Sequence, residues 1–307
     1  MFNRLHNTSL VEHWLLLIST PIYLVIIGAE IIWSNYKKQE TYSFKDTTQN
    51  IYLMLVNTCI DVVFRGVYIF ILDICYQHRW INIENAVLYW VILLVLEDFM
   101  YYWLHRFDHE IRLFWAVHVT HHSSPKFNFT VGFRSSVFEP LYRFIYFIPL
   151  AFIGFKALDI AFIYSLTQIW GILVHTEKIY TLGWLEALLV TPSHHRVHHA
   201  SNPKYLDKNL GMLFIIWDKL FGTFQKELPK ETYQIIKYGL TTPMQKETPG
   251  NLIFYEWKNI WKDLKQRISW KLKWRYLFGP PGWSHDGSRK TSKQLRENED
   301  HSKATSS

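Results

Sequence analysis

Long apolar stretches alternate along the chain with segments crowded with charge, and the apolar stretches have the length of membrane helices. Residues 14–33 (WLLLISTPIYLVIIGAEIIW) carry a single charge, Glu30, and are long enough to cross about 30 Å of hydrocarbon as a helix. Residues 51–76 form a second run, in which Asp61 and Arg65 share a helix face four positions apart and neutralise one another. A third run, 86–104, turns polar at Glu97 and Asp98 and aromatic at Tyr101, Tyr102 and Trp103, the pattern of a helix leaving the bilayer. Residues 137–155 and 157–176 form a further pair, the first again with an i, i+4 couple, Glu139 and Arg143. The pattern predicts an all-α fold, a multi-pass membrane bundle of five crossings. Its polar segments, 105–136 and 177–307, build a helical cap on one side.

Composition agrees with a folded, apolar-rich chain. Of 307 residues 49% are hydrophobic and 19% charged, which excludes a disordered or collagen-like protein. The formal net charge is +7, and its placement explains it. The cations beyond residue 176 fall on the same side as Lys37, Lys38, Lys45, Arg106, Arg112, Lys126 and Arg134, leaving Arg4, Arg79 and Lys156 opposite. By the positive-inside rule the cap faces the cytoplasm and the N-terminus the other side. This fits a bacterial inner membrane or a eukaryotic endoplasmic reticulum. Topology and anionic lipid account for the basic excess, so no nucleic-acid partner is needed. Cys59 and Cys75 lie inside apolar runs and offer neither a disulfide framework nor a thiolate metal spacing.

The chain divides into three regions. Residues 1–230 form the membrane-embedded domain. In 231–278, Ile253, Trp257, Ile260, Trp261, Leu264 and Ile268 recur at helical spacing among lysines, which predicts an amphipathic extension lying in the interface; a helix packed on the cap is the alternative. Residues 279–307 turn to Pro, Gly, Ser and charge and read as a disordered tail.

The chemistry is concentrated in the histidines. Ten of the fifteen lie between residues 105 and 199, as His105-x-x-x-His109, His118-x-x-His121-His122, the single His175, and His194-His195-x-x-His198-His199. Residues three and four apart share a helix face, so each group can aim two or three imidazoles at one point. A lone H-x-x-x-H pair is commonly surface decoration, and a lone His175 commonly a hydrogen-bonded core residue. The H-x-x-H-H pattern occurring twice, both times beside membrane helices, points instead to metal, with enough imidazoles for two ions. A metal-bound imidazole needs its other N–H oriented. Asp98, two helical turns before His105, is the first candidate for that role, followed by Glu97, Glu139 and Glu177. His194 is one position out of register and is assigned behind the ligands. His6, His13, His78, His285 and His301 fall outside the pattern.

At these residues the sequence resembles the fatty acid hydroxylase and sterol desaturase superfamily of membrane di-iron oxidoreductases. YYWLHRFDHE, LFWAVHVTHHSSPKFNFTVGFRSSVFEPLYRF and TPSHHRVHHASNPKYLDKNLGMLFIIWDKLFGTF, within about residues 80–230, are most similar to the alkylglycerol monooxygenase branch. Carried over by motif, the ligands the resemblance implies are His105, His109, His118, His121, His122, His175, His195, His198 and His199, holding two iron ions. It further implies an O2-dependent monooxygenase that hydroxylates a membrane lipid at a C–H bond. In the alkylglycerol branch, attack next to an ether oxygen gives a hemiacetal that collapses to an aldehyde and a glycerol. The electron donor is tetrahydrobiopterin in that branch and a small redox protein in sterol-oxidising relatives. Within the superfamily the alternative is a sterol or carotenoid hydroxylase or desaturase. Outside it stand a zinc-dependent hydrolase, which lacks the general base an H-E-x-x-H motif would supply, and a metal transporter, which would spread its ligands along several spans.

Overall fold

The computed structural model describes residues 21–304. Only the second part of the first expected span falls within them, as a helix over 21–36 (α1); His6 and His13 lie outside. The described residues contain no β-strand, and two isolated bridges, Leu189 with Phe214 and Ala200 with Tyr238, are the extended pairings recorded. The fold is all-helical, as the apolar pattern predicts.

Among the described residues two helices are long and apolar enough to cross a membrane, Phe44–Gln77 (α2) and Ala86–Glu110 (α3). The Ser43 side chain caps α2 by accepting from Asp46 N, and Asn85 caps α3 by accepting from Leu88 N. At 1.5 Å per residue α2 is about 51 Å long, well beyond the roughly 30 Å of a bilayer core. Its chemistry divides accordingly. The first turns bury Asp46, Gln49, Asn50 and Leu53, whereas Leu55, Val62, Val63, Val67 and Phe70 farther along are exposed. Only 11% of its most apolar window is buried. A core helix of a soluble protein would hide that window, so this face is built for an apolar surrounding. α3 runs the other way, from exposed Val87, Leu88 and Val91 to buried Asp98, Tyr101, Tyr102, His105, Asp108 and His109.

The pair expected over 137–176 differs from two full crossings. Residues 137–143 form turns and a short 3-10 segment, Glu139–Leu141, with Pro140 in its first turn. The next helix in this stretch, Phe144–Ile153 (α5), contains Pro149 and is only about 15 Å long. Ala157–Leu173 (α6) returns at about 25 Å. Leu72, Leu93, Phe147, Leu150, Phe155 and Ile160 pack where α2, α3, α5 and α6 meet. Glu139 and Arg143 lie in the 3-10 segment and the turn after it, joined by Arg143 N donating to Glu139 O at 3.0 Å. Arg143 also reaches across to Asp61, which holds Arg65 at 3.0 Å, and Glu139 accepts from Tyr164 at 3.5 Å.

Arg112–His122 (α4), Pro192–His198 (α7) and Ile216–Phe221 (α8) gather as a cap around the C-terminal half of α3, where Phe221 stacks on Tyr102 and His198 meets His105 at 4.5 Å between ring centroids. Pro249–Leu264 (α9) lays Leu252 and Ile253 against Leu53 and Val137. Arg112 is buried between its Glu256 and Asp263, each at 2.6 Å. The inner face of α9 thus covers protein, while Phe254 and Trp261, with Trp270 and Trp274 of Trp270–Phe278 (α10), are exposed among lysines. Where composition predicts a disordered tail, Ser292–Ala304 forms a helix (α11). Hydrogen bonds help to hold it: Arg296 donates to Leu206 O at 2.7 Å, and Tyr233 Oη donates to Glu299 at 3.0 Å. The histidines outside the pattern serve locally, His78 Nδ1 lying 2.9 Å from Ile74 O and His285 Nδ1 2.7 Å from Tyr276 Oη.

Arg134, one of the cations that topology assigns to the cytoplasmic side, is fully buried. It donates to Asp46, Asn50, Ser123 Oγ and Thr120 O at 2.8–3.2 Å, tying the segment after α4 to the foot of α2. Removing one partner of such a pair strands a buried charge and costs roughly 3–5 kcal/mol. Arg134→Met should therefore lower the thermal unfolding midpoint of the detergent-solubilised protein strongly, and Lys126→Met hardly at all. Equal midpoints for the two variants would contradict this account of the cap.

Candidate metal centre

The structure brings nine histidines together in two adjoining groups. His105, His109, His118, His122 and His198 have ligand nitrogens all within 4.8 Å of one another, as do His121, His175, His195 and His199. All except the half-buried His121 are buried. Helix geometry explains the division. In His118-x-x-His121-His122 the i, i+4 members enter the first group and His121 the second. In His195-x-x-His198-His199 the i, i+4 members enter the second group and His198 the first. Each box therefore feeds both groups, and the groups abut where His122 and His199 stack at 4.5 Å between ring centroids. α3 adds His105 and His109 to the first group, and the turn after α6 adds His175 to the second.

The outward nitrogens set the tautomers. A carbonyl can only accept, so the ring nitrogen facing it carries the proton. His105 Nδ1 lies 2.8 Å from Leu210 O, His198 Nδ1 3.0 Å from Lys208 O, His121 Nδ1 3.0 Å from Arg134 O and His175 Nδ1 2.7 Å from Gly171 O. His109 Nδ1 faces Asp207 at 3.4 Å, and His118 Nδ1 faces Ser136 Oγ at 3.3 Å. These bonds leave bare Nε2 lone pairs pointing inward. His105 Nε2 is 3.0 Å from His118 Nε2, and His175 Nε2 is 3.0 Å from His195 Nε2 and 3.1 Å from His199 Nε2. Nε2 of His109 and of His198 are buried without a hydrogen-bond partner.

Converging lone pairs need a cation between them. Protons serve poorly, because burial first, and then the neighbouring imidazoles, hold His118, His122, His195, His198 and His199 well below the usual histidine pKa. Burial likewise lowers His121 to about 4. Neutral, oriented imidazoles are what a divalent transition metal takes, so the donor set fits metal on its own geometry.

One loop, Leu206 to Phe214, orients three of the five histidines in the first group, through Asp207, Lys208 O and Leu210 O. Asp207 and Asn209 occupy the left-handed region at φ 55° and 54°, which Asp and Asn tolerate better than most residues. Gly211 is required there, since a Cβ would meet Phe214 O at 2.5 Å. Buried Asp218 accepts from Leu210 N at 2.7 Å and Gly211 N at 2.8 Å. Asp98 holds the far end, accepting from Leu213 N, Phe214 N and Trp217 Nε1 at 2.7–3.1 Å. It thus acts on the loop and not on His105 directly, because two helical turns separate them by about 10.5 Å. His194 Nδ1 lies 3.4 Å from Thr191 N in the capping box that starts α7, so it helps to place the box without facing a group. Glu139 is brought beside His118 with Asp108, whereas Glu97 accepts from Thr167 and Glu177 interacts with Tyr238.

The class is defined by this site together with the sequence comparisons. The sequence model of the fatty acid hydroxylase family matches residues 90–223, a segment holding all nine clustered histidines. That segment matches the fatty acid hydroxylase family as a domain, and the histidine cluster together with this match points to metal binding. The chain is 34% identical over 274 residues to alkylglycerol monooxygenase of Xenopus tropicalis, covering 86% of this chain and 58% of that protein. It is 34% identical over 273 residues to alkylglycerol monooxygenase of Homo sapiens, covering 86% and 59%. A delta(7)-sterol 5(6)-desaturase of Gibberella zeae is 30% identical over 163 residues, 50% of this chain and 46% of that one. The chain spans somewhat under three fifths of the alkylglycerol monooxygenases it matches. No solved structure matches.

The loop and the neutral cluster can each be tested. Asp218→Ala frees the loop and should weaken metal retention at the five-histidine group by about 10–100-fold, as loss of an orienting partner typically does. The four-histidine group, oriented by Arg134 O and Gly171 O, should keep its metal; equal loss from both, read by metal analysis during stepwise chelation, would contradict the division. In acid, the unfolded chain takes up protons near pH 6.5, while the folded, metal-free cluster resists them until about pH 4 at His121. The unfolded state then binds more protons, so stability of the metal-free protein should fall as pH drops from about 6.5 towards 4. An unfolding midpoint unchanged across that window would contradict the neutral cluster.

Proposed function

We propose that the chain is a membrane-bound di-iron oxidoreductase that uses O2 to hydroxylate a C–H bond of a lipid, with an alkyl ether of glycerol as the leading substrate. The observation that carries this is a cavity of about 780 Å³ whose walls are mostly apolar and which ends on the histidines. Ile27, Ile31, Ile51 and Met54 line one part of it, and His105, His118, His121, His175 and His195 another. The similarity to proteins named alkylglycerol monooxygenase supports the choice of substrate.

The chain's own residues perform the positioning. Apolar side chains from α1 and α2 receive the alkyl chain and exclude water, which protects a strong oxidant from side reactions. Tyr23 and Gln168 are among the polar side chains in the wall of the same cavity. Leu210 O, Lys208 O, Arg134 O and Gly171 O hold the imidazoles in the tautomer that leaves Nε2 free. Two irons, held by the five- and four-histidine groups, would supply the redox chemistry that activates O2, with two electrons and two protons drawn from a separate donor.

The same reading places the protein in the membrane as a multi-pass protein with the histidine cap on the cytoplasmic side. Residues 1–230 form the embedded domain, and the exposed tryptophans of 231–278 meet the interface. The similarity to a sterol desaturase keeps a sterol as the second substrate to offer. Membranes containing the iron-loaded protein, given a 1-O-alkylglycerol, a reductant and labelled O2, should release the fatty aldehyde, trapped at once with label. Oxidation of a sterol with ethers untouched would refute the substrate, and O2-independent turnover would refute the oxidase chemistry.

A further inference from the structure

Glu30 is the one charge in the first apolar stretch, and it is buried while Leu24, Val25, Ile32 and Trp33 of the same helix are exposed. A carboxylate in an apolar helix is stable only where donors meet it. Thr176 Oγ1 donates to one oxygen of Glu30, and Tyr42 Oη and Phe129 N, the latter at 3.2 Å, donate to the other. These donors come from the turn after α6, the segment before α2 and the loop after α4. Two of them flank a single histidine. Thr176 directly follows His175, and its carbonyl accepts from Arg196 of α7 at 3.1 Å. Phe129 lies in the loop that covers the His175 ring, where Phe127 stacks on the ring at 5.4 Å between centroids and a Cβ at Gly132 would come within 3.2 Å of Nδ1.

From this geometry we propose that Glu30 is a positioning residue of the metal centre, which fixes the turn after α6 and the loop over the ring and so holds His175 in place. The inference rests on reading the two imidazole groups as metal sites. His121 and His195 ride on α4 and α7, whose helical spacing aims them. His175 stands past the end of α6, in a turn closed by its own N donating to Ile172 O at 3.1 Å, and no second histidine shares that turn. Its position depends on what holds the turn. Gly171 O sets the tautomer, and the bonds of Glu30 secure the chain on one side of the ring and the loop on the other. His175 Nε2 is thereby kept 3.0 Å from that of His195 and 3.1 Å from that of His199. A carboxylate suits the task, being acceptor-only with two oxygens that take several donors. A charge that served only to anchor the helix at the interface would stay in water. Glu30 lies outside residues 90–223, which match the family sequence model. The first helix, whose Ile27 and Ile31 line the apolar cavity, is in this account also part of the scaffold of the centre.

The test uses the full iron-loaded chain in lipid nanodiscs, with iron per chain measured after dialysis against graded chelator. Glu30→Leu and the nearly isosteric Thr176→Val should each weaken retention at the four-histidine group about 10–100-fold. At a chelator level where the parent keeps both ions, they should keep one. Glu30→Gln, whose amide oxygen still accepts, should recover most of the loss. Because Asp218→Ala acts on the five-histidine group, joining it to Thr176→Val should remove both ions, whereas two lesions in one group would leave the other ion bound. Both ions retained in Glu30→Leu and Thr176→Val would overturn the proposal, as would one ion left in the double variant. A lowered thermal unfolding midpoint with both ions kept would also overturn it, by reducing Glu30 to an anchor of α1. Thr176→Val decides the matter if Glu30→Leu does not fold. A parent chain that binds no metal would instead refute the metal reading from which the proposal starts.

Discussion

Two sets of neutral imidazoles are held with their lone pairs converging, and most of the cap is arranged to keep them so. Each ring whose Nδ1 donates to a carbonyl has given its one proton away from the centre, leaving Nε2 atoms 3.0–3.2 Å from one another in a buried space. Without cations these are buried acceptors facing one another, and a bound cation would satisfy them. Metal bound there would couple the folding of the cap to its binding, as in other sites whose ligands must be pre-oriented.

The scaffold behind the ligands is made largely of backbone carbonyls fixed by buried charge. Arg134, tied to Asp46 and Asn50 of α2, holds the segment whose carbonyl orients His121. Asp218 and Asp98 hold the two ends of the loop that orients His105, His109 and His198. These charged groups are costly to bury unless they are fully hydrogen-bonded, and each accepts or donates several bonds. Rigidity at the cap contrasts with the membrane-facing side, where α2 and α3 offer exposed apolar surface and a cavity large enough for an alkyl chain.

Local spacing was legible in the sequence and long-range orientation was not. The i, i+3 and i+4 intervals identify the histidines that converge, because helix geometry alone dictates which share a face. The apolar runs likewise identify α2 and α3. Spacing could not show that each box divides between two groups, since that depends on where α4 and α7 dock. Nor could it find Asp207 or Asp218, whose contacts are made through a loop; the D-K-N-L-G run, rich in residues that tolerate left-handed backbone, was the one local hint. Asp98 shares a face with His105 but is too far along the helix to touch it. The stretch 137–155 has the hydropathy of a span, yet Pro140 and Pro149 leave a ten-residue helix, and α11 forms without an apolar pattern, with hydrogen bonds to 206 and 233 helping to hold it.

The central claim is that the two imidazole groups are two metal sites. Anomalous scattering at the iron edge from crystals of the iron-loaded protein tests it most directly. The geometry predicts two peaks, one among His105, His109, His118, His122 and His198 and one among His121, His175, His195 and His199. A single peak shared by both groups, or none in protein shown to be folded and iron-supplied, would contradict it.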